Sequence, residues 1–151
     1  MSIALRYSSC HEKAGDITND SFLKVFQNIQ EFREEADFKF WLRRIVINTA
    51  LDQFRKEKKF ENQVPLELGN KEQINDSILG QLQADEILKM VQDLPENYRF
   101  TFNLFEIEGY SHEEIALKLG TTAATSRANL SRAKQMLRQM ILILSEYERA
   151  I

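Results

Sequence analysis

At 151 residues, 43% hydrophobic and 28% charged, the chain has the make-up of a soluble globular protein with room for one domain or two small ones, which excludes a wholly disordered or fibrous chain. Its formal net charge of -3 argues against a uniformly basic nucleic-acid coat but leaves local positive patches open. The single cysteine, Cys10, excludes an internal disulfide and fits a reducing cytoplasm; with the neighbouring His11 it supplies too few ligands for a structural zinc site, so no metal and no cofactor is expected.

The amino-terminal run "MSIALRYSSC" lacks an apolar core long enough for a signal peptide. Ile17, Phe22, Val25, Phe26 and Ile29 then recur at helical spacing. Asp16, Thr18 and Asp20 load the first turns with acids and a cap, so a helix is predicted over 16–30. "EFREEAD", 31–37, interrupts it. A longer helix follows from about Phe38 to Lys59, where Trp41, Leu42, Ile45, Val46, Thr49 and Ala50 form one stripe and Ile47, Leu51 and Phe54 widen it. Such a helix is mostly buried, with its "RKEKK" end in solvent. Trp41 is expected in the core rather than stacked on nucleic acid.

Residues 60–77 hold Pro65, Gly69 and many polar side chains without periodicity and read as a linker. In "DSILGQLQADEILKMVQDL", Ile78, Leu79, Leu82, Ile87, Leu88 and Val91 mark another helix, weakened early by Gly80. Pro95 suits a first helical position, and Tyr98, Phe102 and Phe105 carry the next helix towards Gly109.

"GYSHEEIALKLGTTAATSRANLSRAK" is the most informative stretch. Ser111 and Glu114 form a capping box, so a helix starts near His112; Ile115, Ala116 and Leu119 are its apolar stripe, and Gly120 supplies the left-handed stop. Thr122 caps the next helix, whose buried seam is Leu130, Ala133, Leu137, Met140, Ile141 and Leu144. Two helices joined by so short a turn form a helix-turn-helix, whose second helix can enter a DNA major groove. Thr125, Ala128, Ser131, Arg132 and Gln135 point away from the seam, with Arg127 and Asn129 on its flanks. Small side chains beside arginine and asparagine suit base edges. The competing reading is a solvated helix with a basic face.

The charges are segregated. From Arg43 to Lys59 there are six bases and two acids, from Phe60 to Asn97 two bases and eight acids, and from Gly120 to Ile143 four bases and no acid. The all-α pattern has no alternating stretch long enough for a strand. "MILIL" near the carboxy terminus is far short of a membrane span. His11 and His112 are distant in sequence, and neither an activated nucleophile nor a phosphate-cradling glycine loop is present, so the chain reads as a non-enzyme without a small-molecule substrate.

Taken together, "FKFWLRRIVINTALDQFRKEKK" and "LPENYRFTFNLFEIEGYSHEEIALKLGTTAATSRANLSRAKQMLR" resemble the two domains of bacterial sigma factors, specifically the extracytoplasmic-function (ECF) class of the sigma-70 family, over about Ile3 to Leu144. Members usually carry a further helical segment ahead of the position of Met1, which this chain is expected to lack. The resemblance implies an all-α protein with a region 2 domain over 1–59, an acidic linker over 60–77 and a region 4 helix-turn-helix domain over 78–151. It implies a cytoplasmic factor that directs core RNA polymerase to promoter DNA, assists opening and is held in check by an anti-sigma factor.

By the same resemblance, Asp16, Asn19 and Asp20 would contact polymerase, although the family has glutamine and glutamate where Asn19 and Asp20 stand. The loop 31–37 would receive an extruded base. Asn48 would lie beside melted DNA, the bland alternative being a buried amide, and Arg43, Arg44, Arg55, Lys56, Lys58 and Lys59 would hold the strand. Arg127, Asn129 and Arg132, with Ala128 and Ser131 between them, would read the upstream element. The alternatives are a stand-alone helix-turn-helix regulator and a truncated sigma acting only through protein contacts.

Overall fold

The computed structural model describes residues 1–32, 37–61 and 84–149. Its helices are α1 (Ser2–Tyr7), α2 (His11–Asn28), α3 (Phe38–Glu61), α4 (Ala84–Gln92), α5 (Glu96–Phe102), α6 (His112–Leu119) and α7 (Ala123–Arg149). A 3₁₀ turn, Ile29–Glu31, ends α2, and a wider π-type turn, Asn103–Ile107, follows α5. Among the described residues there is no strand, as the pattern predicts. Of the predicted linker 60–77, only residues 60 and 61 are described, as the end of α3; Ile78, Leu79 and Leu82 lie outside the described residues.

α1 is a helix the sequence pattern does not announce. Six residues cannot hold a helix in water unaided, because nucleation costs more than one turn of hydrogen bonds returns. Burial supplies the difference: Ala4 and Tyr7 are 0% and 2% exposed. α2 likewise begins at His11, ahead of the predicted Asp16, because Ala14 and Ile17 are buried and draw the extra turn into the core.

The buried stripe of α2 is Ala14, Ile17, Ser21 and Val25, at spacings of three, four and four. Ser21 is tolerated there because its hydroxyl donates to Ile17 O at 2.6 Å. Phe22, Phe26 and Ile29, spaced like core residues in the sequence, are instead 52%, 75% and 44% exposed. They sit one position round the helix from Ser21, Val25 and Asn28, a turn of about 100°. In α3 the expected stripe is realised in Val46, Ile47, Ala50, Leu51 and Phe54, all buried. Thr49, also buried, bonds back to Ile45 O at 2.9 Å.

α5 starts at Glu96, with Pro95 as its cap residue rather than its first helical one, a one-residue difference in keeping with frayed helix ends. The helix-turn-helix follows the sequence closely. Ser111 N–H donates to Glu114 Oε2 at 2.8 Å and Glu114 N–H to Ser111 Oγ at 3.2 Å, completing the capping box. Gly120 takes φ 63°, ψ 45°, a left-handed conformation that favours glycine. Thr122 Oγ1 then accepts Thr125 N–H at 3.1 Å. Leu130 and Ala133 are buried as predicted, but Leu137, Met140 and Leu144 are half-buried. Ile141 is 43% exposed because α7 outruns the bundle.

α1–α3 and α4–α7 meet in a common core. It joins Ala4 and Tyr7, Ala14 and Ile17, and Val46, Ile47, Ala50, Leu51 and Phe54 to Phe100, Leu104, Ile115 and Leu119. The Phe100 ring sits at its centre, 5.2 Å from Tyr7 and 4.6 Å from Phe54, in the offset geometry aromatic rings prefer. No helix of the described residues is long and apolar enough to cross a membrane.

Candidate nucleic-acid interface

The turn between α6 and α7 fixes where α7 begins and therefore which side chains it presents. Ser126, Leu130 and Ala133 are buried, so Arg127, Ala128, Ser131 and Arg132 face outward and exposed, with Asn129 half-buried at the edge. His112 is half-buried: its Nδ1 lies 2.9 Å from Ser126 Oγ and its ring stacks on Phe105 at 4.5 Å. This ties α6 to α7 and fixes the angle between them. Arg127 pairs with Glu113 at 2.8 Å, with side chains 57% and 65% exposed. A pair so wet is worth about 0–1 kcal/mol and gives way easily to phosphate. Arg132 reaches Tyr98 Oη at 3.4 Å.

The cations of α3 form a second basic surface. Arg44, Asn48, Arg55, Lys56 and Lys59 are exposed and Lys58 is half-buried. Asn48 is thus an outward-facing amide and not the buried one of the bland reading. Arg44, Asn48 and Arg55 share one side of the helix, at spacings of four and seven. Arg43 differs. Its Nε and Nη2 donate to Glu108 at 2.8 and 2.9 Å, and the Glu108 carboxylate is only 6% exposed. These hydrogen bonds hold the Arg43 pKa above its ordinary value.

A third surface runs along α2, where Asp16, Asn19 and Asp20 are exposed. Asp20 Oδ2 accepts from Gln53 Nε2 at 3.1 Å. Phe22, Leu23 and Phe26, the last 75% exposed, continue the same side of the helix as an apolar patch. Sequence periodicity hid Phe22 and Phe26 by making them look like core. Their signal is the buried stripe beside them, visible only once α2 is packed. At the break after α2, Phe32, Phe38 and Trp41 form a ring cluster with centroids 5.3–5.6 Å apart. Trp41 is half-buried in that cluster rather than in the main core; residues 33–36 of the base-receiving loop lie outside the described residues. Among the described residues, no group of three or more His, Cys, Asp and Glu could hold a metal ion.

Residues 1–60 match Sigma-70 region 2, and residues 84–137 match Sigma-70, region 4. The chain is 35% identical over 149 residues to the ECF RNA polymerase sigma factor SigE of Mycolicibacterium smegmatis, covering 92% of this chain and 56% of that relative. The chain belongs to the ECF sigma factors. A second relative, the ECF RNA polymerase sigma-E factor of Haemophilus influenzae, is 28% identical over 138 residues, covering 83% of this chain and 73% of the relative. Among solved structures, the sigma factor RpoE of Bartonella quintana, in complex with the anti-sigma factor NepR, aligns with a TM-score of 0.57 and 26% identity, over 94% of this chain and 89% of that one.

In this sigma factor the α2 and α3 surfaces both fall within the region 2 match, and the exposed side of α7 falls within the region 4 match. The part of α7 beyond residue 137, with exposed Leu142 and Ile143, lies outside it.

Proposed function

We propose that this chain directs core RNA polymerase to promoters, assists their opening and divides the task among its three surfaces. The recognition face of α7 reads duplex DNA at the upstream element through Arg127, Asn129 and Arg132, with Ala128 and Ser131 permitting close approach. The α3 face holds the melted strand through Arg43, Arg44, Arg55, Lys56, Lys58 and Lys59, with Asn48 beside the bases. Neutralising phosphates releases counterions, so binding by either surface weakens steeply with salt. α2 carries the polymerase contact through Asp16, Asn19 and Asp20. We add Phe22, Leu23 and Phe26, since exposed aromatic side chains are common interface anchors.

The observation that carries this reading is the set Arg127, Ala128, Ser131 and Arg132, exposed on one side of α7, whose start is fixed by the left-handed Gly120 that ends the capped α6 and by the Thr122 cap. An inhibitory partner of the anti-sigma class fits the same reading, as does a cytoplasmic, non-catalytic role. Transcription by purified core polymerase on a promoter library tests the whole. The clamp surface has its own test: Phe26→Ala should change stability by no more than about 0.5 kcal/mol yet weaken association with core polymerase, as should Asp16→Ala with Asp20→Ala. Unchanged pull-down by both variants would place the contact elsewhere.

A further inference from the structure

The cations assigned to the melted strand are not all at liberty. Both hydrogen bonds of the Arg43 guanidinium go to Glu108, from the stretch between α5 and α6. Arg55 Nε donates to Lys118 O at 2.9 Å, at the carboxy-terminal end of α6, where helix carbonyls lack internal partners and attract cations. Arg44 and Asn48 look across at the same helix. With Tyr110, Glu114, Leu117 and Lys118 they line a cleft of about 490 Å³ between α3 and α6.

This closure is built from directional bonds as well as apolar contact. At the end of α1, three successive carbonyls accept side chains of the opposite lobe: Leu5 O from Gln92 Nε2 at 3.0 Å, Arg6 O from Asn103 Nδ2 at 2.8 Å and Tyr7 O from Arg99 Nε at 3.2 Å. Those carbonyls are among the last four of their helix and have no acceptor role within it. The lobe of α4–α7 therefore caps α1 in trans. Arg99 is 4% exposed, and its remaining bonds, to Gln92 O and Leu94 O at 2.8 and 3.0 Å, hold it aimed at α1. The recognition face of α7 takes no part: Arg127, Ala128, Ser131 and Arg132 are exposed in the same arrangement.

We propose that the free chain occupies a closed state in which Glu108 and the end of α6 engage Arg43 and Arg55 on the strand-binding face of α3, bolted by the trans-capped end of α1, while the upstream-reading face of α7 stays open. The proposal rests on the roles given above to α3 and α7. Glu108 acts as an internal stand-in for phosphate, a carboxylate occupying the bidentate fork of Arg43. DNA strand and closed lobe compete for one guanidinium, so the chain engages upstream duplex before it can hold melted DNA.

The test uses the full chain with Cys10 replaced by serine and dyes on cysteines introduced at exposed Gln27 and Gln139, one in each lobe. Energy transfer reports lobe separation, while titrations use random-sequence single-stranded and duplex oligonucleotide pools. The wild type should show close lobes, duplex binding and weak single-strand binding. Glu108→Gln, and separately Gln92→Ala at a half-buried position, should lengthen the dye distance and tighten single-strand binding by about tenfold, within the usual range of such couplings, leaving duplex binding unchanged. Circular dichroism verifies that both variants keep their helices, and the milder Gln92→Ala carries the test if Glu108→Gln unfolds. Lobes already apart in the wild type would overturn the closed state, with the α3 assignment untouched. Lobes that separate in the variants with no gain in strand binding would overturn the occlusion and place the fault in the α3 assignment.

Discussion

The basic faces of α3 and α7 look alike as sequence and differ as structure. Both are helical and rich in arginine, and both stand opposite a buried stripe. On the recognition face of α7, Arg127 pairs with an exposed carboxylate, Glu113, and Arg132 makes a long contact to the Tyr98 hydroxyl, whereas Arg43 of α3 is committed to a nearly buried carboxylate. Charge density is therefore a poor guide to readiness for nucleic acid. What decides is whether the cation already has a desolvated partner, because an exposed pair gives way at little cost and a half-buried bidentate pair resists.

The largest effect expected is on the core that holds the two faces together. Phe100 is 2% exposed and touches rings from both α1 and α3. Phe100→Ala should cost about 3–5 kcal/mol, the usual range for a buried phenylalanine. Because the core is shared, denaturant unfolding followed by circular dichroism should show one transition moving to lower concentration. Two transitions, with only the α4–α7 lobe affected, would mean that the faces are independent and the contrast between them accidental.

A smaller effect separates the chemistry of the faces. Arg132→Ala should cost about 1–3 kcal/mol of discrimination between cognate and altered upstream elements, because an arginine that bonds a base edge carries sequence information. Lys56→Ala should weaken binding to all sequences evenly and reduce the salt slope by about one. Titrations over a salt series measure both. Equal, sequence-independent losses from the two variants would reduce α7 to a second phosphate-binding face.

The contrast also shows why some of the molecule was legible from sequence and some was not. The capping box, Gly120 and Thr122 were readable because each acts on backbone within four residues of itself, and local chemistry determines local geometry. The outward side of α7 follows from that start by helical phase alone. α1 was not readable, since six residues carry no helical stability of their own and the lobe that caps α1 lies far along the chain. The Arg43–Glu108 pair spans 65 residues, and nothing in either neighbourhood names the other. Phe22 and Phe26 misled for a different reason: apolar spacing marks a stripe, but two adjacent stripes on α2 were both plausible, and packing selected the one through Ala14 and Val25.

The smallest effect concerns α6, which stands between the two faces. Its carboxy-terminal end receives Arg55 of α3, and its first turn holds His112 against Ser126 of α7. Ser111→Ala removes the hydroxyl that caps this helix and should cost about 1 kcal/mol, the typical value for an N-cap. The same box gives stability a pH dependence of known sign. Bonds from the Ser111 backbone N–H and hydroxyl hold the Glu114 carboxyl below its ordinary pKa. A depressed folded-state pKa contributes stability that is fully present above the unfolded value and is lost as pH falls through the folded one. Thermal melts from neutral into acid should therefore show the wild type losing more stability than Glu114→Gln, with the difference reduced in the Ser111→Ala background, which removes the hydroxyl bond and keeps the backbone one. If Glu114→Gln loses as much stability in acid as the wild type, the proton is going elsewhere, and the geometry of α6 is set by its packing against α3 and α7 rather than by its cap.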